Sequence, residues 1–185
     1  MRLRPCSSRR LIASAALACA AALAPLGALA ATTSPATRAG AATSTAAPPA
    51  CETPQLVVWL DTQGDGTAGS IYYKLEFTNL SGHACTLNGY PYIHAVGLGG
   101  TNLGSVASFD HSRAPVSITI PKGADATAVL RVVEAGNFPG ATCQPVTAAG
   151  LRVYPPNQTR AKLVPFPFAA CSHTGPAYLV VGPVT

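Results

Sequence analysis

The clearest alternation of hydrophobic and polar residues lies between Ile71 and Asn79. The odd positions are Ile71, Tyr73, Leu75 and Phe77, and the even positions between them are Tyr72, Lys74, Glu76 and Thr78. A repeat of two residues is typical of a strand with one buried face and one solvent-exposed face. Asn79, Ser81 and Gly82, which are residue types that favour chain reversal, follow this segment. The pattern therefore predicts a central strand that ends in a turn.

Shorter apolar runs continue along the chain after Cys51, and no window shows a helical period. Glycine, proline, asparagine and aspartate separate these runs, as in a β-sandwich. The predicted strands are residues 55–61, 70–79, 92–96, 116–120, 126–133, 151–154, 163–168 and 178–181, with a weaker candidate at 103–107. The turn at 121–124 predicts that strands 116–120 and 126–133 pair as a hairpin. Pro165 and Pro167 cannot donate backbone hydrogen bonds, so strand 163–168 is expected at a sheet edge or with a bulge.

The first thirty residues have the composition of a secretory signal peptide. Four arginines precede an Ala/Leu-rich run, which closes on Ala28-Leu29-Ala30, and cleavage is predicted after Ala30. Two alternatives are an uncleaved membrane anchor, because the apolar run is nearly long enough to span a bilayer, and lipidation at Cys19 in a ligand-carrying lipoprotein. Pro25 and Gly27 argue against the anchor, and Ala16 against the lipid, because lipoprotein signals favour a larger aliphatic residue there.

Removal of residues 1–30 changes the electrostatic picture. The whole chain has 12 Lys and Arg against 7 Asp and Glu, but only eight basic residues remain after Ala30. The nearly neutral product gives no reason to expect nucleic acid or an anionic membrane surface as a partner. Residues 31–50, rich in Thr, Ala, Ser and Pro, are predicted to be a disordered linker because they cannot bury enough surface to fold. Residues 51–185 then form one domain.

The segment 77–91, FTNLSGHACTLNGYP, resembles the signature of a family of exported actinobacterial domains of unknown function. The resemblance extends from Cys51 to about Val181 and includes IPKGADATAVL at 120–130 and the cysteines Cys143 and Cys171. It implies an immunoglobulin-like β-sandwich in a secreted or envelope-attached protein. It implies no catalytic residues.

Four cysteines remain after the predicted processing, namely Cys51, Cys85, Cys143 and Cys171. An even number of cysteines in an exported domain indicates two disulfides, although three pairings are possible. We favour Cys51 with Cys85 and Cys143 with Cys171, because each pair joins segments that short β connections would bring together. The absence of a C-x-x-C spacing argues against a zinc site or a redox pair.

No other cofactor is predicted from the sequence. Asp61 to Gly66 superficially resembles a calcium loop, but the twelfth position is Tyr72 rather than glutamate, which favours a polar loop. A cupredoxin centre would need a free thiolate and usually a methionine, and the only methionine is Met1. The glycosylation patterns at Asn79 and Asn157 are interpreted as chance matches.

Function is the property that the sequence predicts least. The four histidines lie in no catalytic motif, and Asp110 with His111 is the only pair that suggests acid–base chemistry. Trp59, Tyr72, Tyr90 and Tyr92 could form an aromatic patch for a glycan or a protein, although Trp59 and Tyr73 are expected in the core. The leading hypothesis is a non-catalytic binding or structural module of the cell envelope or extracellular space. The alternative is a secreted hydrolase whose site is assembled only by folding.

Overall fold

The computed structural model describes residues 46–185. The predicted signal peptide with its cleavage after Ala30, the alternative lipidation at Cys19, and the linker as far as residue 45 lie outside the described residues. Within the described range, no helix combines the length and the hydrophobicity needed to cross a bilayer.

The described chain is built almost entirely from strands. They are β1 (Leu56–Thr67), β2 (Ser70–Asn79), β3 (Cys85–Asn88), β4 (Tyr92–Val96), β5 (Asn102–Leu103), β6 (Ser108–Phe109), β7 (Ser117–Ile120), β8 (Asp125–Val133), β9 (Pro145–Tyr154), β10 (Lys162–Cys171) and β11 (Leu179–Val181). One short helix, α1 (Gly140–Cys143), and two 3-10 turns, Thr53–Gln55 and Ala135–Asn137, complete the secondary structure of this part of the chain.

Two larger sheets and one strand pair make up the fold. The five-stranded sheet has the order β1-β2-β8-β11-β6, the four-stranded sheet has the order β10-β9-β4-β5, and β3 pairs with β7. Neighbouring strands are antiparallel except for β6 and β11, which are parallel. Tyr73 of the first sheet meets Phe166 of the second edge to face, with ring centroids 4.8 Å apart. The predicted all-β sandwich is therefore confirmed.

Strand β2 has the buried and exposed faces that the alternation predicted. Leu75 and Phe77 are completely buried between the sheets, and Tyr73 packs against this core, whereas Lys74 on the opposite face is exposed. Pairing on both sides, with β1 and with β8, makes β2 a central strand. Packing of apolar residues from the two sheets explains why these positions are apolar.

The predicted hairpin between strands 116–120 and 126–133 is wrong. Strand β8 is paired along its length with β2 and also pairs with β11, so neither of its edges is free for β7. Strand β7 pairs instead with β3, which sequence analysis did not identify as a strand. The side chain of Asn79 donates to the carbonyl groups of Ile120 and Pro121 and thereby holds the end of β7.

The prediction of a polar loop at Asp61–Gly66 is also wrong, because this segment continues strand β1. The register against β2 shifts between Asp61 and Asp65, which marks a β-bulge. Inside the bulge, the backbone N–H of Gln63 donates to Asp61 Oδ1 over 3.0 Å. The chain reverses only at Ala68 and Gly69, which have φ values of 33° and 79°.

Strand β10 lies at a sheet edge, and its register against β9 shifts between Pro165 and Phe168. The prediction from the two prolines is confirmed. At the start of the fold, Ala50 forms a parallel bridge with Thr86, and the Thr86 N–H donates to the carbonyl of Pro49 over 2.8 Å. Pro49 and Ala50, the last two residues of the predicted linker, are thus already paired.

Both disulfides join the cysteines in the preferred pairing. Cys51 is bonded to Cys85, and Cys143 is bonded to Cys171. All four residues are completely buried. The first bond ties the start of the domain to β3, and the second closes the segment that contains α1 and β9 onto the end of β10.

The buried Tyr178 is expected to make the free energy of unfolding depend on pH in the alkaline range. Its ring is completely buried, its hydroxyl donates to the carbonyl of Leu103 over 2.9 Å, and burial raises its pKa to about 12. A raised pKa in the folded state means that the associated stability is complete below the ordinary tyrosine pKa and is lost as the pH rises through about 12. We expect the free energy of unfolding to fall by about 2 to 3 kcal/mol over this window.

Denaturant unfolding at pH 8, 10 and 11 measures the first half of this decline, about 1.4 kcal/mol by pH 11. Tyr178→Phe should cost about 1 kcal/mol at pH 8 through the lost hydrogen bond, and its stability should decline less steeply at alkaline pH. Burial also raises the pKa of Tyr73, so a part of the decline should remain. Parallel declines in the two proteins would contradict the prediction.

Candidate functional site

The solvent-exposed face of the five-stranded sheet, here called the outer face, carries most of the chemically versatile side chains. Cross-strand pairing places them in rows. One row contains Trp59, Glu76 and Thr127, and the row beyond the Asp61–Lys74 pair contains Tyr72, Arg131, Val180 and Ser108. Because residues two apart in a strand share a face, these side chains point away from the core. The outer face is therefore a continuous surface that crosses all five strands.

A groove runs along this face where β8 and β11 meet the chain after β6. It consists of a cavity of about 430 Å³ and a neighbouring one of about 230 Å³, which share Asp110, Val129 and Gly182. The lining residues of this outer-face groove are Tyr72, Ser108, Phe109, Asp110, His111, Ser112, Arg113, Val129, Arg131, Ala177, Val180, Gly182, Pro183 and Thr185. Its lining therefore combines apolar, aromatic and charged groups, as ligand sites commonly do.

One wall of the groove is the segment Asp110–Arg113, which Tyr90 holds from behind. The Tyr90 hydroxyl donates to the carbonyl of Arg113 over 3.2 Å and lies 3.3 Å from Nδ1 of His111. The Tyr90 ring also stacks on Phe109, with centroids 4.6 Å apart. The Asp110 N–H donates to the carbonyl of Val181 over 2.8 Å and ties the wall to the sheet. The wall is thus fixed by its own contacts before any ligand arrives.

Asp110 gives the wall a negative charge. Its carboxylate accepts a hydrogen bond from the backbone N–H of Ser112 over 2.9 Å. This bond is the main reason that the pKa of Asp110 lies below its usual value. The Ser112 side chain and the positive charge of Arg131 contribute less. The groove therefore presents an ionised carboxylate and the Arg131 guanidinium at the same opening.

The structure brings Asp110 and His111 into one wall but does not arrange them as a catalytic pair. Nδ1 of His111 faces the Tyr90 phenol, and the Asp110 carboxylate binds a backbone N–H. A hydrolytic triad requires the histidine to contact a nucleophile and the carboxylate to orient the histidine. The contacts of these two residues position the segment Asp110–Arg113, and the hydroxyl that faces His111 belongs to Tyr90, which also donates to the carbonyl of Arg113.

The predicted aromatic patch is divided between different surfaces. Tyr72 lines the groove, and Tyr90 supports its wall. Tyr92, which is 55% exposed, lies on the four-stranded sheet and meets Phe109 edge to face. The expectation that Trp59 lies in the core is wrong. Its side chain is 44% exposed because it belongs to the outward positions of β1, between the buried residues Val58 and Leu60.

The remaining candidate ligands do not converge. His83 lies in the turn after β2, His94 in β4 and His173 beyond Cys171. Burial lowers the pKa of His94, and the charge of Arg152 lowers it further. Among residues 46–185, no group of three or more His, Cys, Asp or Glu is placed to hold a metal ion. Of the two asparagines in glycosylation patterns, Asn79 is completely buried, and Asn157 donates to the carbonyl of Asn88.

Sequence analysis missed most of the groove. Arg131 and Val129 occupy ordinary outward positions of β8, and Gly182 follows β11 in a segment rich in small residues. Alternation in β8 marks Val129 and Arg131 as outward residues, and it is the only sequence pattern that points to a part of the groove. Their proximity to Asp110 depends on the parallel pairing of β6 with β11, which has no local sequence signature.

Comparisons with known proteins identify the family. A family model described as a domain of unknown function, DUF4232, matches residues 51–185. Searches of curated proteins and of solved structures gave no match. The match covers the whole sandwich, including both disulfides and the groove. The chain therefore belongs to the DUF4232 family of domains of unknown function.

Proposed function

We propose that the chain is an exported, non-catalytic binding module of the cell envelope or extracellular space, and that its ligand occupies the outer-face groove. The observation that carries this proposal is the groove itself, with an apolar floor at Val129 and charged groups at Asp110 and Arg131. Its wall is fixed in advance, which lowers the entropic cost of binding. Asp110 and His111 are committed to structural contacts, which favours binding over hydrolysis.

Export is part of the same proposal. Disulfides form and persist mainly in oxidising compartments outside the cytosol, and the chain has two of them, both buried. The arginines and the apolar run before Ala30 favour a cleaved signal peptide. The resemblance in residues 77–91 and the excess of arginine over lysine, nine to three, favour an actinobacterial source.

Filling the groove at Gly182 tests the binding site. Within 4 Å, a Cβ at this position would meet only the carbonyl of Val129, at 3.8 Å, so the side chain of Gly182→Val starts in the groove without a backbone clash at its Cβ. We expect binding to isolated cell envelopes from the producing organism to weaken about tenfold or more, because the new side chain occupies ligand space. The free energy of unfolding should change by less than about 1 kcal/mol.

Gly99→Val is the matched control, since a Cβ at Gly99 meets nothing within 4 Å and the residue lies in an exposed loop after β4. Co-sedimentation of the purified protein with the envelopes measures binding, and near-ultraviolet circular dichroism checks the fold. Equal binding by wild type and Gly182→Val would remove the groove from the proposed function. Asp110→Asn and His111→Ala test the alternative, a hydrolase. Both variants should still bind envelopes, so a hydrolytic activity that the wild type has and both variants lose would favour the enzyme.

A further inference from the structure

Two rows of outward residues on the outer face lie beside the groove, and the residues described here do not line it. Trp59 of β1 lies directly opposite Glu76 of β2, and Glu76 lies opposite Thr127 of β8. In the adjoining row, Thr78 lies opposite Asp125. We propose that this strip, here called the Trp59 platform, binds a neutral or amino-bearing carbohydrate chain. The inference rests on one part of the proposed function, namely that the domain is exported and therefore meets surface glycans.

Trp59 is held in a fixed orientation although it is exposed. Its indole N–H donates to the Thr78 hydroxyl over 3.2 Å, and that hydroxyl donates to the Asp125 carboxylate. Because Thr78 belongs to the neighbouring strand, the first bond draws the indole across the sheet. The side chain is 44% exposed, so part of the ring remains available to a ligand. A rigid, exposed aromatic surface with its polar atom already bonded suits stacking against the C–H face of a sugar ring.

The polar groups beside the indole select the class of ligand. Glu76 accepts a hydrogen bond from the Thr127 hydroxyl over 3.1 Å, which positions its carboxylate on the surface. Glu76 and Asp125 are acceptors when ionised and have further lone pairs for hydroxyl or ammonium donors. Lys74 faces Asp61 across the strands, so the platform retains an excess of negative charge. These charges disfavour phosphate- or sulfate-bearing ligands and favour a donor-rich, uncharged or cationic ligand.

A protein surface fits the platform less well than a glycan does. Val57 is the other large apolar residue of these two rows that is substantially exposed, at 42%. Stable protein interfaces are centred on a larger cluster of buried apolar anchors. A second copy in a symmetric dimer would place the same acidic patch against itself, so Glu76 and Asp125 argue against that occupant as well.

The only tryptophan of the chain is Trp59, so its fluorescence reports directly on this surface. Each probe is a soluble tetrasaccharide built from one kind of sugar. The neutral or amino-bearing probes are those of glucose, N-acetylglucosamine, mannose and glucosamine, and the acidic probe is that of galacturonic acid. We expect at least one neutral or amino-bearing probe to shift the emission to shorter wavelength saturably and to protect the indole from acrylamide quenching. The acidic probe should bind more weakly.

Variants locate the site by calorimetric titration with the binding probe. Trp59→Ala should weaken binding about tenfold or more through the lost stacking surface, and Glu76→Gln about fivefold because the charged acceptor is lost while the bond from Thr127 can persist. Leu163→Ala is the control, since Leu163 is an exposed residue of the other sheet. Unfolding midpoints of all variants should remain close to that of the wild type.

The inference would be overturned by no saturable response to any tetrasaccharide, by unchanged affinity in Trp59→Ala, or by tighter binding of the acidic probe. Envelope binding could also be lost in Trp59→Ala and yet survive enzymatic removal of glycans. That result would point to a protein partner and would also overturn the inference. The proposed function is tested separately, by Gly182→Val. If Gly182→Val loses envelope binding while no sugar affects Trp59, the groove stands and the carbohydrate assignment falls.

Discussion

Replacing all four disulfide cysteines with alanine is expected to lower the free energy of unfolding by about 7 kcal/mol. The bonds Cys51–Cys85 and Cys143–Cys171 join residues 34 and 28 positions apart. In the chain-entropy model, loops of this size each contribute about 3.5 kcal/mol, because the crosslink restricts the unfolded chain. The two loops do not overlap in sequence, so their contributions should be nearly additive. Domains of this size often have total stabilities of about 5 to 15 kcal/mol, so the variant should lose about half or more of its free energy of unfolding.

Chemical denaturation of the wild type, the two double variants and the quadruple variant measures these contributions. Alanine is preferred to serine because all four sites are completely buried, and a serine hydroxyl would lack a partner there. Wild-type protein in excess reductant should approach the quadruple variant, which controls for the loss of side-chain volume. A quadruple variant with unchanged stability would show that the two bonds are not structural.

Asn79→Ala is expected to cost about 3 to 4 kcal/mol, which is large for one polar residue. The Asn79 side chain is completely buried and donates to the carbonyls of His83 and Ile120, each over 2.9 Å, with a longer contact to Pro121. Its Oδ1 accepts from the backbone N–H of Ser81 over 2.9 Å. Truncation leaves buried backbone groups without partners, and each such group costs about 1 to 3 kcal/mol.

Asn137→Ala is the matched control for this prediction. Asn137 also donates from Nδ2 to a backbone carbonyl, that of Gly69, over 2.8 Å, but the contact is exposed to water. It should therefore cost less than about 1 kcal/mol, because water replaces the lost partner. Asn79→Asp should be as damaging as Asn79→Ala, since aspartate cannot donate to the carbonyls. Similar costs for Asn79→Ala and Asn137→Ala, measured by urea denaturation, would refute the assignment of a central role to Asn79.

The role of Asn79 also gives the Thr78-Asn79 pair at the end of β2 a structural explanation. The T-N of FTNLSG places an amide at the end of β2, where it bonds to the turn at 81–83 and to the end of β7. The bond to the carbonyl of Ile120 in β7 joins residues that are 41 positions apart in sequence. A buried amide with several backbone partners specifies a unique arrangement of strands more strongly than an apolar side chain does.

Local features of the fold could be predicted from the sequence, whereas strand pairing could not. The alternation in β2, the edge position of β10 and the disulfide pairing depend on residue type and spacing, and the structure confirms them. The pairing of β7 with β3 depends on competition for the edges of β8, because β2 and β11 occupy both edges and exclude β7. Such competition is a property of the assembled sheet, and the adjacent turn at 121–124 gave the wrong partner.

The candidate surfaces were harder to predict for a related reason. Residue type favours the core for Trp59 because large aromatic residues are usually buried, whereas the short alternation in β1 places its side chain on the exposed face. The groove combines Tyr72, Asp110, Val129 and Gly182 from separate segments of the chain. No single stretch of sequence contains enough of these residues to form a motif.

The two ends of the domain are anchored to the same short segment. Ala50 bridges Thr86, and the Val184 N–H donates to the carbonyl of Gly89 over 3.0 Å. Three residues of extended chain span about 10 Å, so a brief connector could join the ends. A circular permutant opened at the glycine-rich loop 97–100 should therefore still fold, and head-to-tail copies of the domain could be concatenated with very little spacer.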